Sequence, residues 1–203
     1  MHAKPKLTTD LAAVSLVTVS GPWMRCVAHE YLGHAPPGAA PGSKPDPLWP
    51  GASKKHGQRF TPKGSFDTLY LTDSADTALL EVGAVFRKGG KLIPTRADPQ
   101  VLVTIHGTVL DVLDTTDPSV QSALGTTTAE LTGVWAYVRG RGLAPTQELG
   151  QAAYDGKRIH AILYTSAKNP PATCLCVFPD RLDPKHEMLR VIDTSGNLVS
   201  TLP

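Results

Sequence analysis

Thr68-Leu69-Tyr70-Leu71-Thr72-Asp73-Ser74-Ala75-Asp76-Thr77-Ala78-Leu79-Leu80-Glu81 is the stretch on which the fold turns. Its first five residues alternate and favour extended backbone, which predicts a strand. Asp73 or Ser74 is placed to cap a helix N-terminus. Ala78, Leu79, Val82 and Val85 or Phe86 then recur at three- and four-residue spacing. That periodicity predicts a helix over 75–86, ended by Gly89-Gly90.

Upstream of this unit, Trp23 to Val27 reads as a short strand around Arg25. Val14 to Val19 reads as a strand or as part of a short helix opening at Thr9 or Asp10. The polar and basic residues 1–10 read as a loose lead-in. From Ala35 to Pro50 stand Pro36, Pro37, Pro41, Pro45, Pro47 and Pro50, which predict a long irregular loop. Downstream, Gln100 to Asp114 is rich in β-branched residues and predicts one or two strands. Asp117-Pro118 is a cap and first turn. Helices are expected over 131–138 and over 145–154, the latter closed by Gly156. Strands are expected at Ile159 to Thr165, Cys174 to Phe178 and Leu189 to Ile192. Helices and strands mix without βαβ alternation. The expected class is therefore α+β, with curved, mostly antiparallel sheets and flanking helices. Residues 1–19 would lead into one domain, 20–203, carrying the proline-rich loop 35–50 as an insertion.

The chain has 203 residues, 41% hydrophobic and 19% charged, enough for one core. Twenty basic against 18 acidic residues leave a formal net charge of +2, too weak a field to recruit nucleic acid. Three cysteines, an odd number, exclude a closed disulfide framework and suggest a reducing, cytoplasmic setting. No membrane span is expected, since no run of 18 apolar residues exists. The apolar stretch from Leu11 to Val19 is broken by Ser15 and Thr18 and lacks the features of a secretory signal. Neither the G-x-G-x-x-G nor the G-x-x-x-x-G-K-[ST] nucleotide loop is present, nor a G-x-S-x-G elbow. His29-Glu30-Tyr31-Leu32-Gly33-His34 spaces its histidines about 140° apart on a helix, the wrong geometry for a metal pair. Gly33 and Pro36 argue against a helix there at all. No metal site is expected. Cys174 and Cys176 alternate with Leu175 and read as half-buried small hydrophobes.

What remains is Arg59, Tyr70 and Glu81, each eleven residues from the next. The spacing itself carries no weight, but a strand–turn–helix unit can bring Tyr70 and Glu81 together. Glu81 falls on the apolar stripe of its helix, where a carboxylate needs a partner or a site. The plain structural alternatives are a solvated Arg59, a half-buried core Tyr70, an exposed helical Glu81, and a Ser166 that caps a turn after Ile162-Leu163-Tyr164.

Gly57-Gln58-Arg59-Phe60-Thr61-Pro62-Lys63-Gly64, the Tyr70 strand and Ala78-Leu79-Leu80-Glu81 together resemble the RES domain family, named for a characteristic Arg, Glu and Ser. Residues 155–168, ending Tyr164-Thr165-Ser166-Ala167-Lys168, resemble the family's second block, in which a strand ends in Ser followed by Ala and a basic residue. Val177-Phe178 fits the closing strand, and Arg25 the arginine near the first. The resemblance runs from about residue 20 to 180. Gln58, Phe60 and Thr61 depart from the usual Gly, Trp and Asn.

The resemblance implies an ADP-ribosyltransferase-like fold, NAD+ as substrate without a metal, and a toxin of a type II toxin–antitoxin pair. An Xre-type antitoxin would be its partner, with neither nucleic acid nor membrane bound directly. It implies Glu81, Arg59 and Tyr70 as catalytic residues, and Arg59, Tyr70, Ser166 and Arg25 as NAD+ contacts. The chemistry suits these residue types. Cleavage at the ribose C1′ passes through an oxocarbenium-like state that a carboxylate such as Glu81 stabilises, and neutral nicotinamide leaves without a general acid. Arg59 offers a fork for pyrophosphate. Tyr70 would pack on the cationic nicotinamide for about 0.5–2 kcal/mol. Ser166 would donate to ribose or amide, or orient Glu81; Arg25 would be a second phosphate or ribose contact. Three functions follow: NAD+ glycohydrolase or phosphorylase, mono-ADP-ribosyltransferase acting on a protein acceptor, or a non-catalytic binding protein on a degraded RES scaffold.

Overall fold

Gln100 to Asp114 form one unbroken strand of 15 residues in the computed structural model, and the other elements assemble around it. The structure describes residues 1–32, 46–95, 98–136, 142–193 and 200–203. In chain order these give α1 (Lys4–Ala13), β1 (Val17–Ser20), β2 (Trp23–Ala28), α2 (His29–Leu32), α3 (Gly51–His56), β3 (Leu69–Thr72) and α4 (Ala75–Glu81). Then follow β4 (Val85–Lys88), β5 (Lys91–Pro94), the long β6 (Gln100–Asp114), α5 (Pro118–Ala123), α6 (Thr128–Thr132) and α7 (Pro145–Asp155). The chain ends in β7 (Ala161–Thr165), β8 (Thr173–Val177), β9 (Met188–Ile192) and β10 (Thr201–Leu202).

The main sheet runs β10-β9-β6-β2-β3-β8-β7, and β7 then pairs with β6 again. The first half of β6 is antiparallel to β2, from Trp23 opposite Ile105 to Ala28 opposite Gln100. Its last residues, Val112 to Asp114, run parallel to Ala161 to Leu163. One strand thus closes a ring of strands on itself. Between its halves β6 bends: Asp111 adopts a left-handed φ of 48°, and the Leu110 N–H is donated to the buried Glu187 Oε1 at 2.7 Å. Alternation along the strands builds two cores. Trp23, Leu69, Leu71, Ile105, Val112, Leu175 and Val177 fill one face. Phe60, Ile162, Tyr164, Cys174, Cys176 and Phe178 face the other way and are covered by α1, α5, α6 and α7. The expected α+β class with mainly antiparallel, curved sheets is what forms, β6–β7 being the parallel pair.

Several elements differ from the sequence expectation for local reasons. Residues 1–10 are not loose. Pro5 opens α1, Leu7, Leu11 and Val14 bury one face, and the Arg158 guanidinium donates to the carbonyls of Leu11, Ala12 and Val14. The apolar periodicity after Ser74 overran the true helix. Ser74 caps α4 as expected, but the helix stops at Glu81 because Gly83 turns left-handed with φ of 68°. The Gly83 and Ala84 N–H groups then bond back to Leu80 and Leu79, a Schellman stop. Gly89 and Gly90 instead make the positive-φ turn of the β4–β5 hairpin. The helix expected over 131–138 lies earlier, over Thr128–Thr132, capped by Thr127; residues 137–138 lie outside the described residues. One helical turn, α2, does form at His29, while Gly33 and His34 lie outside the described residues. So does the proline-rich loop up to Pro45. Cys174 and Cys176 are fully buried rather than half-buried.

Gly150 fixes how closely α7 sits on the turn that carries Arg59. A Cβ at Gly150 would lie 1.8 Å from the Phe60 carbonyl oxygen, and Gln147 Nε2 donates to Gln58 O at 3.0 Å from the same helix. Gly150→Ala is expected to destabilise the protein by about 1–3 kcal/mol, lowering the melting temperature by about 5 °C in a thermal scan. An unchanged melting temperature would show that α7 does not buttress this turn.

Candidate functional site

The ring of strands is sealed unevenly. β2 and β3 are in register at a single pair, Met24 opposite Thr72. Beyond it a cavity of about 470 Å³ opens, with Arg25 to Ala28 of β2 on one wall and Thr68 with Tyr70, Leu71 and Thr72 of β3 contributing another. That volume lies within the usual range of small-molecule sites, about 300–1,000 Å³. Arg25, Arg59, Tyr70 and Glu81 all line it, so four of the five expected site residues converge on one space.

The fifth, Ser166, stands behind it. Ser166 is 0% exposed, and its Oγ donates to Glu81 Oε1 at 2.6 Å. The same oxygen accepts the N–H groups of Lys168 at 3.2 Å and Asn169 at 3.0 Å. With both lone pairs occupied, the hydroxyl has only its proton to give, and that proton points at Glu81. Asn169 Nδ2 also donates to Thr77 Oγ1 on α4, tying the two elements together at 2.9 Å. Ser166 therefore fixes the carboxylate from behind. Of the two roles expected for it, the geometry matches orientation of Glu81. Cys174 Sγ lies 3.9 Å from Glu81 Oε1; burial and then the Glu81 charge push its thiol well up. Burial pushes Cys176 up to about 12. Both sulfurs stay protonated at neutral pH and serve as packing.

Tyr70 points its hydroxyl away from the β3 backbone into the turn at residues 58–61. It accepts the Phe60 N–H at 3.0 Å and pairs with Thr61 Oγ1 at 3.0 Å. Burial holds its phenol well above the usual range, so Tyr70 is neutral and acts here as an anchor. Arg59 stands one residue before that anchor. Its Nη1 donates to Leu131 O at 2.7 Å and Gly133 O at 2.8 Å, closing the C-terminal end of α6. Arg59 is thus a clamp as well as a cavity-lining cation.

Arg25 differs from both. Its Nη2 donates to Trp49 O at 3.0 Å, while its Nη1 is buried without a partner among the described residues. Burial lowers its pKa to about 10, partly offset by the charge of Asp46. A buried cationic N–H without an acceptor is costly, and this one lies on a residue of the cavity wall. The sequence reading did not single out Trp49, Trp135, Asp46 or Lys168, which also line the cavity. Lys168 had a signal, being the basic residue two after Ser166. The others come from irregular segments with no periodicity to mark them. Among the described residues no group of His, Cys, Asp and Glu is placed to hold a metal, and no helix is long and apolar enough to cross a membrane.

Two substitutions separate anchoring from contact. Tyr70→Phe keeps the ring and strands the Phe60 N–H, with an expected loss of about 1–3 kcal/mol of stability. Ser166→Ala frees Glu81 and strands the Lys168 and Asn169 amides, with a similar loss. Chemical denaturation with a fitted slope measures both, and wild-type midpoints in both variants would remove the anchoring roles.

The RES domain family model matches residues 23–198. Comparison with curated protein sequences gave no match. Among solved structures, one chain of the M. tuberculosis MbcT–MbcA toxin–antitoxin complex is similar, with a TM-score of 0.63 and 20% sequence identity over 93% of this chain and 90% of that one. At that identity the likeness is one of fold. The family match spans Arg25, Arg59, Tyr70, Glu81 and Ser166, and with it the chain belongs to the RES domain family.

Proposed function

We propose that the protein is an NAD+-consuming enzyme that cleaves the bond between nicotinamide and ribose, acting as the toxin of a toxin–antitoxin pair. The observation that carries this reading is Glu81, held on the cavity wall by the Ser166 proton in a space shared with two arginines. A fixed carboxylate facing the sugar stabilises positive charge at C1′ as the bond to nitrogen breaks. The bonding pair goes to the nicotinamide nitrogen, which leaves neutral. An oxygen of water or phosphate then bonds to C1′ and gives up its proton. Preorganisation by Ser166 means that the carboxylate need not reorient as charge develops. The unpartnered Arg25 Nη1 and the Arg59 guanidinium suit the two charges of the pyrophosphate, and the Tyr70 ring suits the nicotinamide. An antitoxin that covers or enters the open cavity would block the reaction. The toxin–antitoxin setting rests on the family match and on the similar fold in the MbcT–MbcA complex, and an Xre-type partner on the family resemblance.

A transferase acting on a protein acceptor would use the same site and differ only in what attacks C1′. A binding-only protein on the same scaffold would leave NAD+ intact. Incubation of the purified protein with NAD+, with and without phosphate, followed by mass spectrometry, is expected to release nicotinamide together with ADP-ribose or its 1″-phosphate. Glu81→Gln is expected to lower the rate about 10²–10³-fold. Intact NAD+ both in buffer and after addition of cell lysate, or full activity of Glu81→Gln, would overturn the reading.

A further inference from the structure

Two of the chain's three tryptophans are used by neither core. Trp23 is buried at 6% exposure in the core that holds Leu69 and Ile105, whereas Trp49 and Trp135 are half-buried and belong to neither core among the described residues. Both line the cavity instead. An indole offers a large apolar area, and leaving two of them half-exposed forgoes burial that the cores could have supplied.

The segments carrying these rings are held in place by the two cavity arginines. Arg25 Nη2 donates to the carbonyl of Trp49 itself. Arg59 Nη1 donates to Leu131 O and Gly133 O, immediately before the segment that bears Trp135. The Trp49 ring is also seated on the first residue of α3: a Cβ at Gly51 would lie 2.4 Å from Trp49 Cζ2. Each arginine therefore fixes a charged group and an aromatic wall together.

We propose that Trp49 and Trp135 form a stacking subsite for a purine base, the end of the dinucleotide remote from the bond that breaks. This rests on the NAD+-cleaving reading above and deepens it. Glu81 and Ser166 serve the ribose that loses nicotinamide, and Tyr70 serves the nicotinamide, which leaves the two indoles for the second planar group. Arg25 beside Trp49 and Arg59 beside the Trp135 segment act as positioning residues for the rings as well as contacts for the phosphates between the bases. Recognition by ring faces makes the base a large contributor to affinity.

The test uses ligands that separate the two ends. ADP carries the base and diphosphate but no bond to nicotinamide, and pyrophosphate lacks the base. ADP is expected to quench tryptophan fluorescence and pyrophosphate is not, with the quench reduced in both Trp135→Phe and Trp49→Phe. Trp135→Ala is expected to lower kcat/KM for NAD+ about tenfold. Its kcat/KM for nicotinamide mononucleotide, which has no purine, should stay within about twofold of wild type. Quenching by ADP that is unaltered in both phenylalanine variants, or equal losses for the two substrates, would overturn the subsite. Quenching through Trp135 without nicotinamide release from NAD+ would keep the subsite and reject the proposed activity. Nicotinamide release as efficient from the mononucleotide as from NAD+ would do the reverse.

Discussion

One strand must pair at both ends with the same ring of neighbours, and the rest of the molecule follows from that. β6 lies against β2 along its first half and against β7 at its end, so it has to bend between them. The bend needs a left-handed residue, Asp111, and an acceptor for the Leu110 amide, which the buried Glu187 supplies. Gly107 allows β9 to approach the first half, since a Cβ there would lie 1.8 Å from Met188 O. Closing a ring with strands of four to six residues on its far side leaves too little pairing to seal every seam. β2 and β3 meet at one registered pair, and the seam that stays open is the cavity.

The groups around that cavity are held in place by the protein's own hydrogen bonds. Glu81 takes the proton of a serine whose other capacity is spent on two backbone amides. Tyr70 uses its hydroxyl to hold the turn that carries Arg59. Arg59 in turn closes α6. Such chains of buried polar contacts are stable only when every member is satisfied, because each unpaired group costs about 1–3 kcal/mol. Among the described residues Arg25 Nη1 is the exception in the cavity. That cost is retained at one atom, in the space where the other groups converge.

The buried thiols illustrate how position overrides composition. Cys174 and Cys176 sit beside Glu81 and Tyr70, close enough to look like part of the chemistry. Burial, with the carboxylate charge acting in the same direction on Cys174, keeps both protonated. Cys174 packs in the cavity wall and Cys176 behind it, where a small side chain fills space without adding a charge.

Local patterns in the chain carried most of the element types. The alternation at Leu69–Thr72, the Ser74 cap, Asp117-Pro118 and the Pro145 helix all act over a few residues, so they could be read without knowing the fold. The end of α4 was also present locally, in Gly83, but the apolar residues beyond it continued the helical period and belong instead to β4. The leading residues 1–10 read as loose because the partners that hold α1, Arg158 and the helical layer, lie far along the chain. The site divides in the same way. Residue identity and order were enough to nominate Arg25, Arg59, Tyr70, Glu81 and Ser166, since their chemistry and motif are written in sequence. Only the tertiary structure decided that Ser166 stands behind Glu81 rather than in the cavity, that Tyr70 and Arg59 are anchors, and that Trp49 and Trp135 form part of the wall. Those roles depend on which atoms meet across 72 residues from Arg59 to Leu131 and 85 from Glu81 to Ser166, and contacts at such separations arise from closing the sheet rather than from any local pattern.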